Sequence, residues 1–307
     1  MTELASPARC PGCGSEGGAT IARSRSSVPL FDRRELERCP ACGLVFMVQP
    51  PTESQLAEVN ARYWTVAQTH SHLAERVHQA QMLARVEYLE QRLPSLRAAR
   101  ILDVGSGYGM LNQVLSARGH DVAFHAIESD PQCDARLRRN GVRSVSRQLE
   151  DCRESAFDLV ILSHVLEHVA APRAFLRLVR GKLAERGALF IEVPNQDHLH
   201  KLDMGTHLLF FSPASLGFLL EAAGFTVEHL ATVGPLLSDL QAARARLTSG
   251  GLRRMGSEAA GRVRLAVSSP ASLRSRLQVA TYGEARQWIR CLAHPAAPTP
   301  RGSAPIY

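Results

Sequence analysis

The chain is poor in lysine, in aromatic residues and in long apolar runs, and each scarcity closes off a class of protein. No uninterrupted apolar stretch approaches the roughly 18 residues of a membrane span, and the first 25 residues hold no apolar signal-peptide core. These absences lead us to expect a soluble, cytoplasmic protein with no membrane partner. Lysine occurs only at Lys182 and Lys201, against 34 arginines. The net charge of +7, and the 11 arginines against Asp239, Glu258 and Glu284 in residues 236–307, would otherwise suggest nucleic acid. With arginine as the default cation throughout, a generally basic surface that attracts anionic substrates is the more economical reading. Aromatics make up 6% of the chain, and the first 50 residues contribute only Phe31 and Phe46, which offers little for base stacking. There is no internal repeat.

What is present begins with Ile101-Leu102-Asp103-Val104-Gly105-Ser106-Gly107-Tyr108-Gly109. An apolar strand runs into three glycines at alternate positions, and a helix-compatible segment follows and closes at Gly119. Such a loop turns sharply and presents its amides at a helix N-terminus, where the dipole favours an anionic group. Glu128, 23 residues after Gly105, ends a second apolar strand (122–127), where an acid is placed to accept hydrogen bonds from ribose hydroxyls. A dinucleotide fingerprint would need glycine at 110, and that position is Met110.

The strand–D-x-G-x-G-x-G pattern resembles motif I of class I S-adenosylmethionine (SAM) methyltransferases. Three later segments agree with that family in order: Phe157–Val169 as the fourth strand and its turn, Gly187–Asn195 as the fifth strand, and His207–Pro213 as the approach to the next helix. The resemblance covers roughly residues 100–235. It implies an α/β, Rossmann-like, doubly wound and mostly parallel sheet. It also implies SAM held by Asp103, Gly105, Ser106, Gly107, Gly109, Glu128, Ser163 and His164.

Seven cysteines divide into four and three. Cys10-Pro11-Gly12-Cys13 and Cys39-Pro40-Ala41-Cys42 are two C-x-x-C pairs, each followed by a glycine (Gly14, Gly43) that lets the backbone bend around the thiolates. The pattern predicts a zinc ribbon with one structural Zn²⁺ on Cys10, Cys13, Cys39 and Cys42; a redox dithiol is usually a single pair abutting a helix. A Cys₄ site has no open position, so this metal should hold the fold. Cys133, Cys152 and Cys291 have no matching spacing and read as reduced thiols.

Four regions follow. Residues 1–50 form the ribbon, with a strand near 44–48. Residues 51–99 form a helical connector or lid, starting at a Thr52–Gln55 capping box and ending at Pro94. Residues 100–235 form the SAM domain, with helices over 131–140, 172–184 and 213–223 and a strand over 225–230. Residues 236–307 form an arginine-rich extension, helical over 236–247 and loose after 296. A seventh strand has no evident sequence signal.

Methyl transfer needs in-line placement, and oxygen or carbon acceptors also need a base. The rim where strands 4 and 5 end carries His164, Glu167, His168, Asn195, His198, His200 and His207. The chain resembles the deoxysugar C-methyltransferases of the methyltransferase type 23 group, in which a zinc ribbon precedes the SAM domain and a histidine before a Phe-Ser turn is the base. This implies His207 as base, although Thr206 stands where those proteins have an acid; the alternative is that His207 packs the helix from Pro213. His168 is the second candidate, with a scaffold role as its alternative. Tyr63 and Trp64 are expected over the SAM pocket as a lid, or as cement between ribbon and core. A metal site on His198, His200 and His207 is set aside for want of well-spaced carboxylates. The expected activity is methylation, at carbon or oxygen, of a small-molecule acceptor such as a nucleotide sugar, glycan, natural-product intermediate or other anionic metabolite. The alternative is ribosomal RNA, against which Ser163-His164-Val165-Leu166-Glu167-His168 lacks the Asn-Pro-Pro-aromatic turn of base N-methylases. The sequence leaves the oligomeric state open.

Overall fold

The computed structural model describes residues 9–63, 72–248 and 285–297. The N-terminal part is a ribbon of three short antiparallel strands: β1 (Ala19–Arg23), β2 (Glu35–Arg38) and β3 (Val45–Met47). Both cysteine knuckles are closed by a glycine. The amide of Gly14 donates to the carbonyl of Cys10 at 2.8 Å and that of Gly43 to Cys39 at 3.0 Å, with φ of +81° and +72°. Helix α1 (Glu53–Asn60) starts from Thr52, whose hydroxyl accepts from the Gln55 amide while the Gln55 side chain accepts from that of Thr52. Helix α2 (His72–Arg92) ends before Pro94. Trp64 lies outside the described residues.

A seven-stranded sheet follows. β4 (Arg100–Val104), α3 (Met110–Ala117), β5 (Ala123–Ile127), α4 (Asp134–Arg139), β6 (Ser144–Ser146), β7 (Phe157–Ser163), α5 (Pro172–Lys182) and β8 (Leu183–Pro194) follow one another along the chain, strand and helix alternating except between β6 and β7. After the short β9 (Leu209–Phe210) come α6 (Pro213–Ala222), β10 (Phe225–Leu236), α7 (Leu237–Thr248) and β11 (Arg286–Pro295). The strand order is β10-β11-β8-β7-β4-β5-β6; β4 to β8 are parallel, and β11 is antiparallel to both neighbours. The inner strands read as continuous apolar runs because both sheet faces are covered. Ile101, Leu159, Ile161 and Phe190 meet α2 and α3 on one face, while Leu102, Val160, Leu162 and Ile191 meet α5 and α6 on the other.

β11 is the seventh strand that sequence reading could not locate. Arg290 interrupts its apolar pattern, yet the side chain is 2% exposed, because Glu192 on β8 meets it at 2.5 Å. Within the extension after residue 235, α7 is the expected helix and β11 completes the sheet. Residues 249–284 lie outside the described residues, as do residues 298–307 of the expected loose tail.

The ribbon is bound into the larger domain rather than tethered to it. β9 extends its sheet, pairing Phe210 with Val45 and Leu209 with Phe46. The amide of Met47 donates to Leu208 O at 2.9 Å, Met204 N to Arg25 O at 2.7 Å, and the Ser26 hydroxyl to Gly205 O at 2.8 Å. Phe31, Leu36, Leu44 and Phe46 share one apolar cluster with Leu208, Phe211, Leu216 and Leu220. Among the described residues no helix is long and apolar enough to cross a membrane.

Candidate active site

The parallel strands deliver their carboxyl ends to one rim, and a cavity of about 500 Å³ opens there. The loop after β4 forms its floor. Gly105 turns with φ +69°, and a Cβ on it would stand 2.7 Å from Cγ2 of Val165, so no side chain fits. The amides of Gly105 and Ser106 donate to Ile127 O at 2.8 and 3.2 Å. The Gly107 amide donates to Oε2 of Glu128 at 2.7 Å, and Oε1 of the same carboxylate accepts from Asp130 N at 2.9 Å. The acid at the tip of β5 therefore braces the glycine loop from the cavity wall. Gly109 is the N-cap of α3.

Asp103, Gly105, Ser106, Glu128, Ser163 and His164 all line the cavity, whereas Gly107 and Gly109 do not: Gly107 is held to Glu128 through its amide, and Gly109 caps α3. Burial lifts the Asp103 carboxyl to about 7, against the pull of the Ser106 hydroxyl and of Arg85. The Ser163 hydroxyl is buried with no partner among the described residues. Two carboxyl groups, a spare hydroxyl and a loop no side chain can enter suit a cofactor with a cationic end and ribose hydroxyls.

His164, at φ +57°, is turned by the end of β7 so that Nδ1 lies 3.2 Å from Oε1 of Glu167 and Nε2 3.5 Å from Oε1 of Glu192. Burial alone would lower its pKa, but these two carboxylates raise it. Glu192 is the centre of a buried ionic network that sequence reading missed. Its Oε1 accepts from Nε and Nη2 of Arg85 at 2.8 and 2.6 Å and its Oε2 from Nε of Arg290 at 2.5 Å, and Arg85 itself lines the cavity. The signal that could have found it was a lone acid in the middle of the apolar segment Phe190-Ile191-Glu192-Val193.

Of the expected catalytic residues, Tyr63 and His168 line the cavity and His207 does not. The three rings meet edge to face in sequence: Tyr63 lies 6.0 Å from His168, and His168 lies 4.8 Å from His207. His207 stands behind His168, with Nδ1 2.7 Å from Oδ2 of Asp197. Nδ1 of His168 lies 3.2 Å from the Thr206 carbonyl oxygen, which only accepts, and 3.0 Å from the Thr206 hydroxyl, which can donate or accept. Burial, reinforced by His207, lowers the His168 pKa to about 4, so the ring is neutral near pH 7. His198 turns away from this group and packs against Phe210 at 5.4 Å.

At the far end of the ribbon the four thiols converge. Cys10 and Cys42 sulfurs are 3.6 Å apart, Cys13 and Cys39 sulfurs 3.5 Å, and all four lie within 4.8 Å of one another. Sulfurs around a tetrahedral zinc, at about 2.3 Å each from the metal, stand about 3.8 Å apart. The donor set and spacing fit.

Residues 69–230 match the family model described as a methyltransferase domain. A ubiquinone biosynthesis O-methyltransferase of Xanthomonas euvesicatoria pv. vesicatoria is 32% identical over 193 residues, covering 54% of this chain and 77% of that protein. One from Xylella fastidiosa is 29% identical over 192 residues, covering 53% and 74%. The solved structure of a Burkholderia thailandensis 1,6-didemethyltoxoflavin-N1-methyltransferase, with 1,6-didemethyltoxoflavin and S-adenosylhomocysteine bound, shares the fold at 18% identity. Its TM-score is 0.52, and the match covers 90% of this chain and 100% of that one. The sequence match covers more than half of the chain, and the fold agrees with it: the chain belongs to the SAM-dependent methyltransferases.

Proposed function

We propose that the protein transfers the SAM methyl group to a hydroxyl of a small-molecule acceptor, with His168 as base, and that Cys10, Cys13, Cys39 and Cys42 hold a structural zinc. When bound, the cofactor supplies a methyl group already activated on a sulfonium. The chain's own work is to hold and orient. Asp103 takes the cationic end, Glu128 the ribose, and the Ser163 hydroxyl a polar group of either ligand. Leu56, Tyr63, Val165 and Phe175 give the acceptor an apolar wall. With the cofactor bound, His168 would accept the acceptor's proton on Nε2 as the oxygen–methyl bond forms and the methyl–sulfur bond breaks, the sulfur leaving as a neutral thioether.

One observation carries this reading: a neutral imidazole with its Nδ1 side held against Thr206 lies on the wall of the cofactor cavity. A neutral histidine is suited to a hydroxyl proton, and the relatives named O-methyltransferases favour oxygen over carbon. The test is transfer of labelled methyl from SAM to panels of phenols, nucleotide sugars and unmodified ribosomal RNA. Label on an oxygen of a small molecule supports the proposal. Label entering only RNA, or only a sugar carbon, overturns it.

A further inference from the structure

The loop from β8 to β9 holds a buried carboxylate outside the cavity. Gln196 adopts φ +48°, a left-handed step that aims Asp197 inward at the start of a single 3-10 turn, Asp197–Leu199. The Asp197 side chain is 1% exposed, and its Oδ2 lies 2.7 Å from Nδ1 of His207 and 3.1 Å from Nζ of Lys201. Burial alone would raise this carboxyl, but His207 and Lys201 hold it well below the usual carboxylate range. A carboxylate only accepts, so the His207 proton is on Nδ1, and the tautomer and tilt of that ring are set by Asp197.

His207 in turn sets His168. The His168 ring has Thr206 on its Nδ1 side, with Oγ1 at 3.0 Å and the carbonyl oxygen at 3.2 Å, and the His207 ring across its edge at an interplanar angle of 81°. Both walls come from the dipeptide Thr206-His207. Its backbone is tied to the same turn as His168 by the Leu208 amide, which donates to Glu167 O at 2.8 Å. The side chain that faces His168 is tied to Asp197. We propose that Asp197 is a positioning residue of the methyl-transfer site: through His207 it holds the ring of His168 in place on the cavity wall. The inference rests on His168 being the base. The other groups that face His168 are Glu167 and His164 from the end of β7 and Tyr63 from the segment after α1.

The test compares Asp197→Ala, Asp197→Asn, His207→Ala, the double variant Asp197→Ala/His207→Ala and His168→Ala. Misplacing a catalytic group by about 1 Å costs roughly 100-fold, so Asp197→Ala should lower kcat about 10- to 100-fold with SAM affinity within twofold of the parent. The amide oxygen of Asp197→Asn can still accept from Nδ1 of His207, so that variant should recover most of the loss. The double variant should be no worse than its poorer single, the mark of two residues acting through one contact. In the proton NMR spectrum, the downfield imidazole N–H resonance of His207 should vanish in Asp197→Ala and persist in Asp197→Asn and His168→Ala. This last readout needs no turnover. An unimpaired Asp197→Ala enzyme, additive losses in the double variant, or a kcat loss matched by lost SAM affinity would each overturn the inference. If Asp197→Ala does not fold, Asp197→Asn decides: folded, with the resonance retained but inactive, it contradicts a positioning role. A fully active His168→Ala enzyme refutes the underlying base assignment instead. An inactive His168→Ala beside unimpaired Asp197→Ala and His207→Ala refutes the positioning step alone.

Discussion

Removing the carboxylate of Glu128 should strike two properties at once, and their ratio can be worked out from its hydrogen bonds. Its two oxygens accept from the amides of Gly107 and Asp130 at 2.7 and 2.9 Å, and the residue is 4% exposed. In Glu128→Ala those two amides lose their partner, at about 1–3 kcal/mol for each buried donor left unsatisfied. The ribose loses bonds to a charged acceptor, about 1.5–3 kcal/mol, which is about 10- to 150-fold in SAM affinity. Glu128→Gln should be no remedy, because its amide nitrogen must face one of the two backbone N–H groups. Calorimetric titration with SAM and a thermal melt on the same samples read both terms. A Glu128→Gln protein with parental stability and affinity would refute the bracing role, and undiminished SAM affinity in Glu128→Ala would refute the ribose contact.

Three further outcomes follow from the same geometry. Protein purified without added metal should carry about one zinc per chain; Cys39→Ser should lose it and unfold the ribbon, since structural zinc binding is folding energy. Because the ribbon grips the loop bearing Asp197 and His207 through Arg25, Ser26 and Met47, kcat in that variant should fall before SAM affinity does. A metal-free protein of normal stability would contradict this. Asp103, lifted to about 7 by burial, should release a proton when the cationic end of SAM arrives, because a cation favours the ionised form. Affinity should therefore rise about fivefold between pH 6 and 7 and level off above, with the binding heat at pH 6.5 depending on the buffer's ionisation enthalpy. Binding heats indifferent to buffer would count against it. With the His168 pKa lowered to about 4, kcat at saturating SAM should stay flat as pH falls until near that value, where the base becomes protonated; an acidic limb near the ordinary histidine value would contradict a desolvated base.

The sheet and cofactor loop were legible because they obey local rules. Strands buried on both faces read as apolar runs, the glycines at 105, 107 and 109 punctuate one turn, and Thr52 caps the helix that follows it. What escaped the sequence was paired across it. Arg290 disguised β11 as a polar stretch because its counter-charge, Glu192, lies 98 residues away in the chain. His168 and His207 were both visible as rim histidines, but no spacing rule says which of two rings 4.8 Å apart faces the cavity. Asp197 sits ten residues before His207 in a loop, and only the left-handed Gln196 turns it back.

The measurement that bears most directly on the account is the single-turnover rate of methyl transfer in His168→Ala, with SAM affinity measured on the same protein. Loss of a general base predicts a rate lower by about 10²–10⁴ with cofactor binding nearly unchanged. A parental rate, or a rate loss explained by lost SAM affinity, would contradict it.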